Sequence, residues 1–445
     1  AERHPYVYNL HGDVIQDPYI WLENSDSDES KQWIKEQNDL FNSFLDQNDG
    51  NVNGKDKQYF TKCFEQMLDY TKFTAPFKYG DWYYYYEKKG LQNQFVLYRV
   101  KELANVGKDN GVEVVLDPNT WTQDGTASLG IIKFSKDGKY LAYAVQQSGS
   151  DWSTVYVRDV VENRQLTDKQ EWVKFSSIVW THDNKGFYYC RYPKPEEFQQ
   201  DEDREFKRGT ETSELKFHSM YFHELGMPQD HDRLVIQDLD NPTHMFGGLM
   251  SDDGSYLVIS VSESCAPQNK LYLVDLRKHF GSESQNLIKV ADAFEAQYSY
   301  ITNQGTCFYL ETNLKAPRNK VVKVDISEPT INFVTIMEEH PIDVLSDVSC
   351  FATNYLVTTY RHDVQDVLKV FDLKGNLVRD IELVDKGCVD ALYSRTEQPF
   401  FTFMFTNFVT PGVSYSVDIS DLKPVQLRQM ALDGFNPVDY VTRQV

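Results

Sequence analysis

Cysteine is scarce in this sequence and scattered where it occurs. The six positions, Cys63, Cys190, Cys265, Cys307, Cys350 and Cys388, include no CxxC pair. That excludes a thiolate metal knuckle or a dithiol redox motif, and six cysteines in 445 residues do not read as a disulfide framework. An Asn-x-Ser/Thr acceptor is also missing, since the NPT at Asn241 is blocked by its proline. Both absences point to the cytoplasm. No apolar stretch approaches the roughly 18 residues of a membrane span. The opening AERHPYVYNLHGD has no apolar h-region, so no signal peptide is expected. Positive charge is short as well: 45 Lys and Arg stand against 67 Asp and Glu, for a net charge of -22. Nucleic acid and anionic membrane surfaces recruit clustered basic residues, so neither is an expected partner.

Catalytic motifs are equally thin. The nearest approach to a G-x-S-x-G nucleophile elbow is Gly412-Val413-Ser414-Tyr415-Ser416. It lacks the second glycine that the strained elbow needs and lies in an expected strand, which makes Ser414 structural. The ten histidines form no HExxH. His218 and His223 bracket a strand and read as surface or turn residues, not metal ligands. His182 belongs to the turn THDNKG. No G-x-G-x-x-G follows a strand, so neither a cofactor nor a metal is expected.

What is abundant is aromatic, with 28 Tyr and 27 Phe, and it is arranged in repeats. FSKDGKYLAYAV, from Phe134, returns as MSDDGSYLVISV, from Met250. Each is a polar turn feeding a run of large residues with period two, the grammar of a β-hairpin. The same grammar occurs near Gly80, Gly138, Gly186, Gly254, Gly305, Asn354 and Pro399. A second strand-like element follows each turn: FVLYRV, TVYVRDV, SMYFHEL, KLYLVDL, KVVKVDI, VLKVFDL and VSYSVDI. The spacing between copies, mostly in the high forties to sixties, suits one four-stranded blade. The expected fold is therefore mainly β: a seven-bladed β-propeller over residues 71–434, with an irregular pair of sandwiches as the alternative. The polar stretch Pro193 to Glu214 reads as a mobile hairpin loop in the third blade.

Residues 1–70 are different. After Ser27, residues Trp33, Gln37, Leu40, Phe41 and Phe44 share one helical face, and Phe60, Phe64 and Leu68 recur at spacing four in a second helix over Lys57 to Leu68. These helices have no evident partner in a propeller, so their apolar faces imply a further covering surface.

QDPYIWLEN (Gln16 to Asn24) resembles the entry segment of the prolyl oligopeptidase family of serine peptidases. GLQNQFVLY, SGSDWSTVYV, VKFSSIVWTHDNKG, GTETS and TPGVSYSVDI extend the resemblance from about Tyr6 to Tyr440. It implies an N-terminal arm (1–70) that forms part of an α/β-hydrolase domain, an inserted propeller (71–434), and a return into the hydrolase at 435–445. It also implies a cytoplasmic monomer that cuts short peptides after proline, with the propeller gating access. The family's catalytic Ser, Asp and His lie downstream of the propeller, so no catalytic residue is expected within this chain, and the C-terminal hydrolase portion becomes an expected partner. By the same resemblance, Phe175 matches an aromatic at the hydrophobic subsite beyond the proline pocket. Phe246 falls where the family often has Met, and Cys265 matches a pocket cysteine. Ser262 departs from relatives that carry Arg there, which puts a charge contact to longer peptides in doubt. Without catalytic residues, the competing reading is a non-catalytic propeller scaffold that binds a protein or peptide.

Overall fold

A computed structural model describes residues 1–25, 27–48, 55–194, 214–278 and 286–444. The chain divides into two compact units, Ala1–Asp69 and Tyr70–Val445.

In the first unit, strands Val7–Leu10 and Asp13–Gln16 form a hairpin, and DPYIWLEN supplies a short 3-10 turn over Ile20–Glu23. Helix α1 runs Asp28–Asn48 and helix α2 Lys55–Leu68. Ser27 caps α1 by accepting the Ser30 N–H at 3.1 Å, and Asp28 and Glu29 in the first turn favour the positive end of the helix dipole. Leu40, Phe41 and Phe44 of α1, with Phe60, Phe64 and Leu68 of α2, are all exposed.

The second unit contains seven consecutive antiparallel sheets: blade 1 (Lys72–Leu116), blade 2 (Ser128–Val173), blade 3 (Ile178–Ile236), blade 4 (Met245–Ala291), blade 5 (Tyr298–Met337), blade 6 (Val344–Ile381) and blade 7 (Cys388–Gln429). Each is a meander of four strands in chain order, except that blade 1 splits its first strand into Lys72–Phe73 and Phe77–Tyr79. The expected polar stretch from Pro193 to Glu214 falls almost wholly outside the described residues.

The repeated phrase is a turn with its own hydrogen bonds. In blade 2, Ser135 Oγ donates to Asp137 Oδ1 at 2.7 Å and accepts the Tyr140 N–H at 2.9 Å. In blade 4, Ser251, Asp253 and Tyr256 repeat both bonds at the same two distances. The glycine of each turn sits at positive φ, 77° at Gly138 and 71° at Gly254, a conformation costly for residues with a Cβ. In blade 3, Thr181 and Asn184 (φ 59°) take the places of serine and glycine.

The strands after these turns depart from strict alternation. Phe187, Tyr188, Tyr189 and Cys190 are buried without a break, as are Tyr256 to Ile259. A blade's middle strands have a neighbouring blade on each side, so both faces of the strand are core. Fourth strands lie on the rim, and Leu377, Val378, Arg379 and Asp380 are correspondingly exposed.

Among the described residues, no strand crosses the seam between blades 1 and 7. Side chains close it instead. Arg428 Nη1 bonds Glu87 Oε2 at 2.5 Å, and its guanidinium lies 4.0 Å over the Phe73 ring. Gln398 Nε2 donates to the Lys78 carbonyl at 2.9 Å.

Candidate functional site

Antiparallel alternation sorts the connections of every blade onto two faces. First strands begin, second-to-third hairpins turn, and fourth strands end on one face; first-to-second hairpins lie on the other. The chain enters blade 1 at Lys72 and leaves blade 7 at Gln429 on the first of these faces. Phe175 precedes the first strand of blade 3, Phe246 is the second residue of blade 4, and Cys265 lies between the second and third strands of blade 4. All three residues singled out in the sequence thus belong to the entry face.

Their environments differ. Phe175 is 57 % exposed and has φ 53°, an unusual conformation for a bulky side chain. Trp172, three residues earlier, also has positive φ, at 61°. Strain of this kind persists only where surrounding contacts over-determine it. Here the Lys174 ammonium lies 5.2 Å over the Trp152 ring and 5.3 Å over the Phe175 ring, and Lys174 Nζ is 4.0 Å from Asp151. The Lys174 backbone carbonyl is held from the other side by His218 Nε2 at 3.3 Å.

Phe246 is buried. It is 3 % exposed and packs among Tyr188, Cys190, Met220 and Ile259 in the core between blades 3 and 4. Its ring points into the core because burial alternates along the strand it starts. Its backbone N–H, however, donates to His218 Nδ1 at 2.9 Å. A single imidazole therefore couples Phe246 to the Lys174–Phe175 segment. Nδ1 accepts, so the proton resides on Nε2, and burial pushes the His218 pKa down to about 4, which keeps the ring neutral.

Cys265 is exposed in the loop leading to Asn269. Asn269 ties that loop to blade 5, accepting the Tyr298 N–H at 2.7 Å and donating to Ser260 Oγ at 3.0 Å. Ser262 ends the second strand of blade 4, paired with Met245.

His218 and His223 are buried, not surface or turn residues. His223 lies inside the third strand of blade 3 and bonds two carboxylates, Asp168 at 3.0 Å and Asp232 at 2.7 Å. Burial alone would lower its pKa, but the two carboxylates raise it above the ordinary value. Asp168 also accepts the Gly226 N–H at 2.6 Å, and its carboxyl lies below its ordinary value despite burial. The ion triad clamps blade 2 to blade 3. Ser414 lies within a strand of blade 7 and is buried, with its hydroxyl 3.4 Å from the Arg428 carbonyl.

Residues 1–429 match the family model described as "Prolyl oligopeptidase, N-terminal beta-propeller domain". The chain belongs to the prolyl oligopeptidase family. A curated relative, the "Dual function macrocyclase-peptidase POPB" of Galerina marginata, is 34 % identical across 97 % of this chain and 59 % of its own length. The "Prolyl endopeptidase" of Elizabethkingia miricola is 32 % identical across 98 % of this chain and 57 % of its own. Among solved structures, prolyl oligopeptidase B from Galerina marginata bound to a 25mer macrocyclization substrate superposes with a TM-score of 0.86 at 32 % identity, covering 99 % of this chain and 62 % of that one. The chain thus spans about three-fifths of the length of the prolyl oligopeptidases it matches. The match includes the arm as well as the blades, which accounts for the resemblance of QDPYIWLEN.

Proposed function

We propose that this chain is the arm and propeller of a cytoplasmic, monomeric serine endopeptidase that hydrolyses short peptides on the carboxyl side of proline. The relatives' names support the activity, and six unpaired cysteines fit a reducing compartment. In this reading the nucleophile, base and orienting acid belong to an α/β-hydrolase portion, to which the arm (1–70) and residues 435–445 contribute. The propeller's own residues bind and exclude. Phe175 offers an apolar contact to the peptide beyond the proline pocket, Cys265 lines the same face, and Phe246 acts only through His218. The observation that carries the reading is Phe175: an aromatic ring exposed on the entry face, with its backbone held in a costly conformation by Lys174, Trp152 and His218.

A polypeptide spanning the whole length of its relatives is expected to cleave a short fluorogenic peptide with proline at the scissile bond and to spare the alanine counterpart. Phe175→Ala is expected to raise KM about 5- to 10-fold with kcat nearly unchanged, the mark of a lost binding contact. Peptide binding without turnover would replace this reading with the scaffold. An unchanged KM in the variant would remove Phe175 from the site.

The arm makes a second expectation. With Phe41, Phe44, Phe60 and Phe64 uncovered, the 445-residue chain by itself is expected to self-associate or to light up a hydrophobic dye. A monodisperse, dye-silent chain would contradict the assignment of the arm to a hydrolase core.

A further inference from the structure

At the face opposite Phe175, residues from all seven blades, from Tyr79 of blade 1 to Thr396 of blade 7, converge on one cavity of about 300 Å³. A cavity lined by every blade of a ring lies on the ring's axis.

The bonds across this cavity join blades that are not neighbours. In a ring of seven, blade 4 is separated from blade 7 by two blades on one side and three on the other. Yet Thr396 of blade 7 donates to Asp252 Oδ2 of blade 4 at 2.7 Å. The same oxygen accepts from Thr302 of blade 5 at 2.6 Å, so the carboxylate is fixed in place. Thr396 belongs to Ser394–Pro399, the longest of the seven first-hairpin connections, and that length lets it reach inward. Glu397 pairs with Lys136 of blade 2 at 2.9 Å, again skipping a blade. On the near side, the Thr353 N–H of blade 6 donates to the Thr396 carbonyl at 2.6 Å.

We propose that Ser394–Pro399 is a strap that closes this mouth of the axial channel, with the Asp252 carboxylate as its catch. The contacts across the axis are made by side chains, and among the described residues no strand ladder joins blade 4 or blade 2 to blade 7. The strap therefore releases without unpairing a blade. The consequence for peptide entry, that it avoids this mouth while the catch holds, rests on the function proposed above; the closure itself does not.

Cys350 is a native reporter. It lines the same cavity, is 4 % exposed, and its sulfur lies 3.9 Å from the carbonyl of Thr353, whose N–H holds the strap. Cys190, fully buried in blade 3, controls for unfolding. The experiment is alkylation of the native full-length protein with N-ethylmaleimide, followed by mass spectrometry of the peptides that carry each cysteine. Asp252→Asn and Thr396→Val are each expected to speed alkylation of Cys350 at least fivefold, with Cys190 unchanged. A Cys350 rate that neither substitution alters overturns the proposal. Should either substitution speed Cys190 too, the Asp252→Cys, Thr396→Cys double variant decides. A short bifunctional thiol reagent joins the two positions if the strap crosses the axis, and no such cross-link overturns it. Because no readout is peptidase activity, an inactive protein would refute the proposed function and leave the strap standing.

Discussion

Asp232→Ala is expected to lower the unfolding free energy of the propeller by about 3–5 kcal/mol, read from urea midpoints at constant pH. Removing one member of a buried ion pair leaves the other charged and unsolvated, and that residual charge carries most of the cost. His223, Asp168 and Asp232 all have fully or almost fully buried side chains. Asp232 also accepts the Tyr189 hydroxyl at 2.6 Å, so the substitution strands a second buried donor. Asp232→Asn, which keeps an acceptor near both groups but removes the charge, is expected to cost clearly less. A loss below about 1 kcal/mol in the alanine variant would show that the triad is not ionised. The pH dependence follows from the raised pKa of His223. Its contribution is complete below the ordinary histidine value and is lost as the pH rises through the folded value.

His218 works in the opposite direction. Its folded pKa is depressed to about 4, so its contribution is complete above the ordinary value near 6.5 and is lost as the pH falls from there towards 4. Over that window the unfolded chain binds the proton that the buried ring refuses. Between pH 7 and pH 5 the loss amounts to about 2 kcal/mol from this one group. His218→Phe is expected to flatten that part of the stability profile while lowering stability at pH 7, because the Phe246 N–H and the Lys174 carbonyl both lose their partner. The variant should also bind peptide more weakly, since Lys174 and Phe175 are no longer held. Urea unfolding of the two proteins at both pH values tests this. Parallel profiles would mean that His218 titrates normally and is hydrated. The two histidines stand five residues apart on one blade and are expected to bend the same curve opposite ways. Burial lowers both rings; two carboxylates outweigh it at His223, and no carboxylate offsets it at His218.

Much of the fold was legible because its signals are local. The Ser-x-Asp-Gly turn makes its hydrogen bonds within six residues, so it recurs as a readable phrase, and the middle strands are buried on both faces, so they stand out as aromatic runs. The fourth strands were not legible. On the rim, segments such as Leu377–Ile381 carry exposed and charged residues and are held by ladder bonds to the third strand, which any sequence can make. The two phenylalanines divide in the same way. Phe175 and Phe246 both stand near the start of a blade, but one ring meets solvent and the other a neighbouring blade, and no local pattern distinguishes them.

The number of blades and the helical arm with its apolar faces were determined by the sequence alone, because turn chemistry and hydrophobic spacing act over a few residues. Ring closure decided the rest. It buried His223 between carboxylates 55 residues upstream and 9 downstream, and set His218 between Lys174 and Phe246. It also brought Thr396 to Asp252 across 144 residues. Apart from the His223–Asp232 bond within blade 3, these contacts join blade to blade, or a blade to the segment that enters it, and only the packing of the blades around one axis determines which side chains meet.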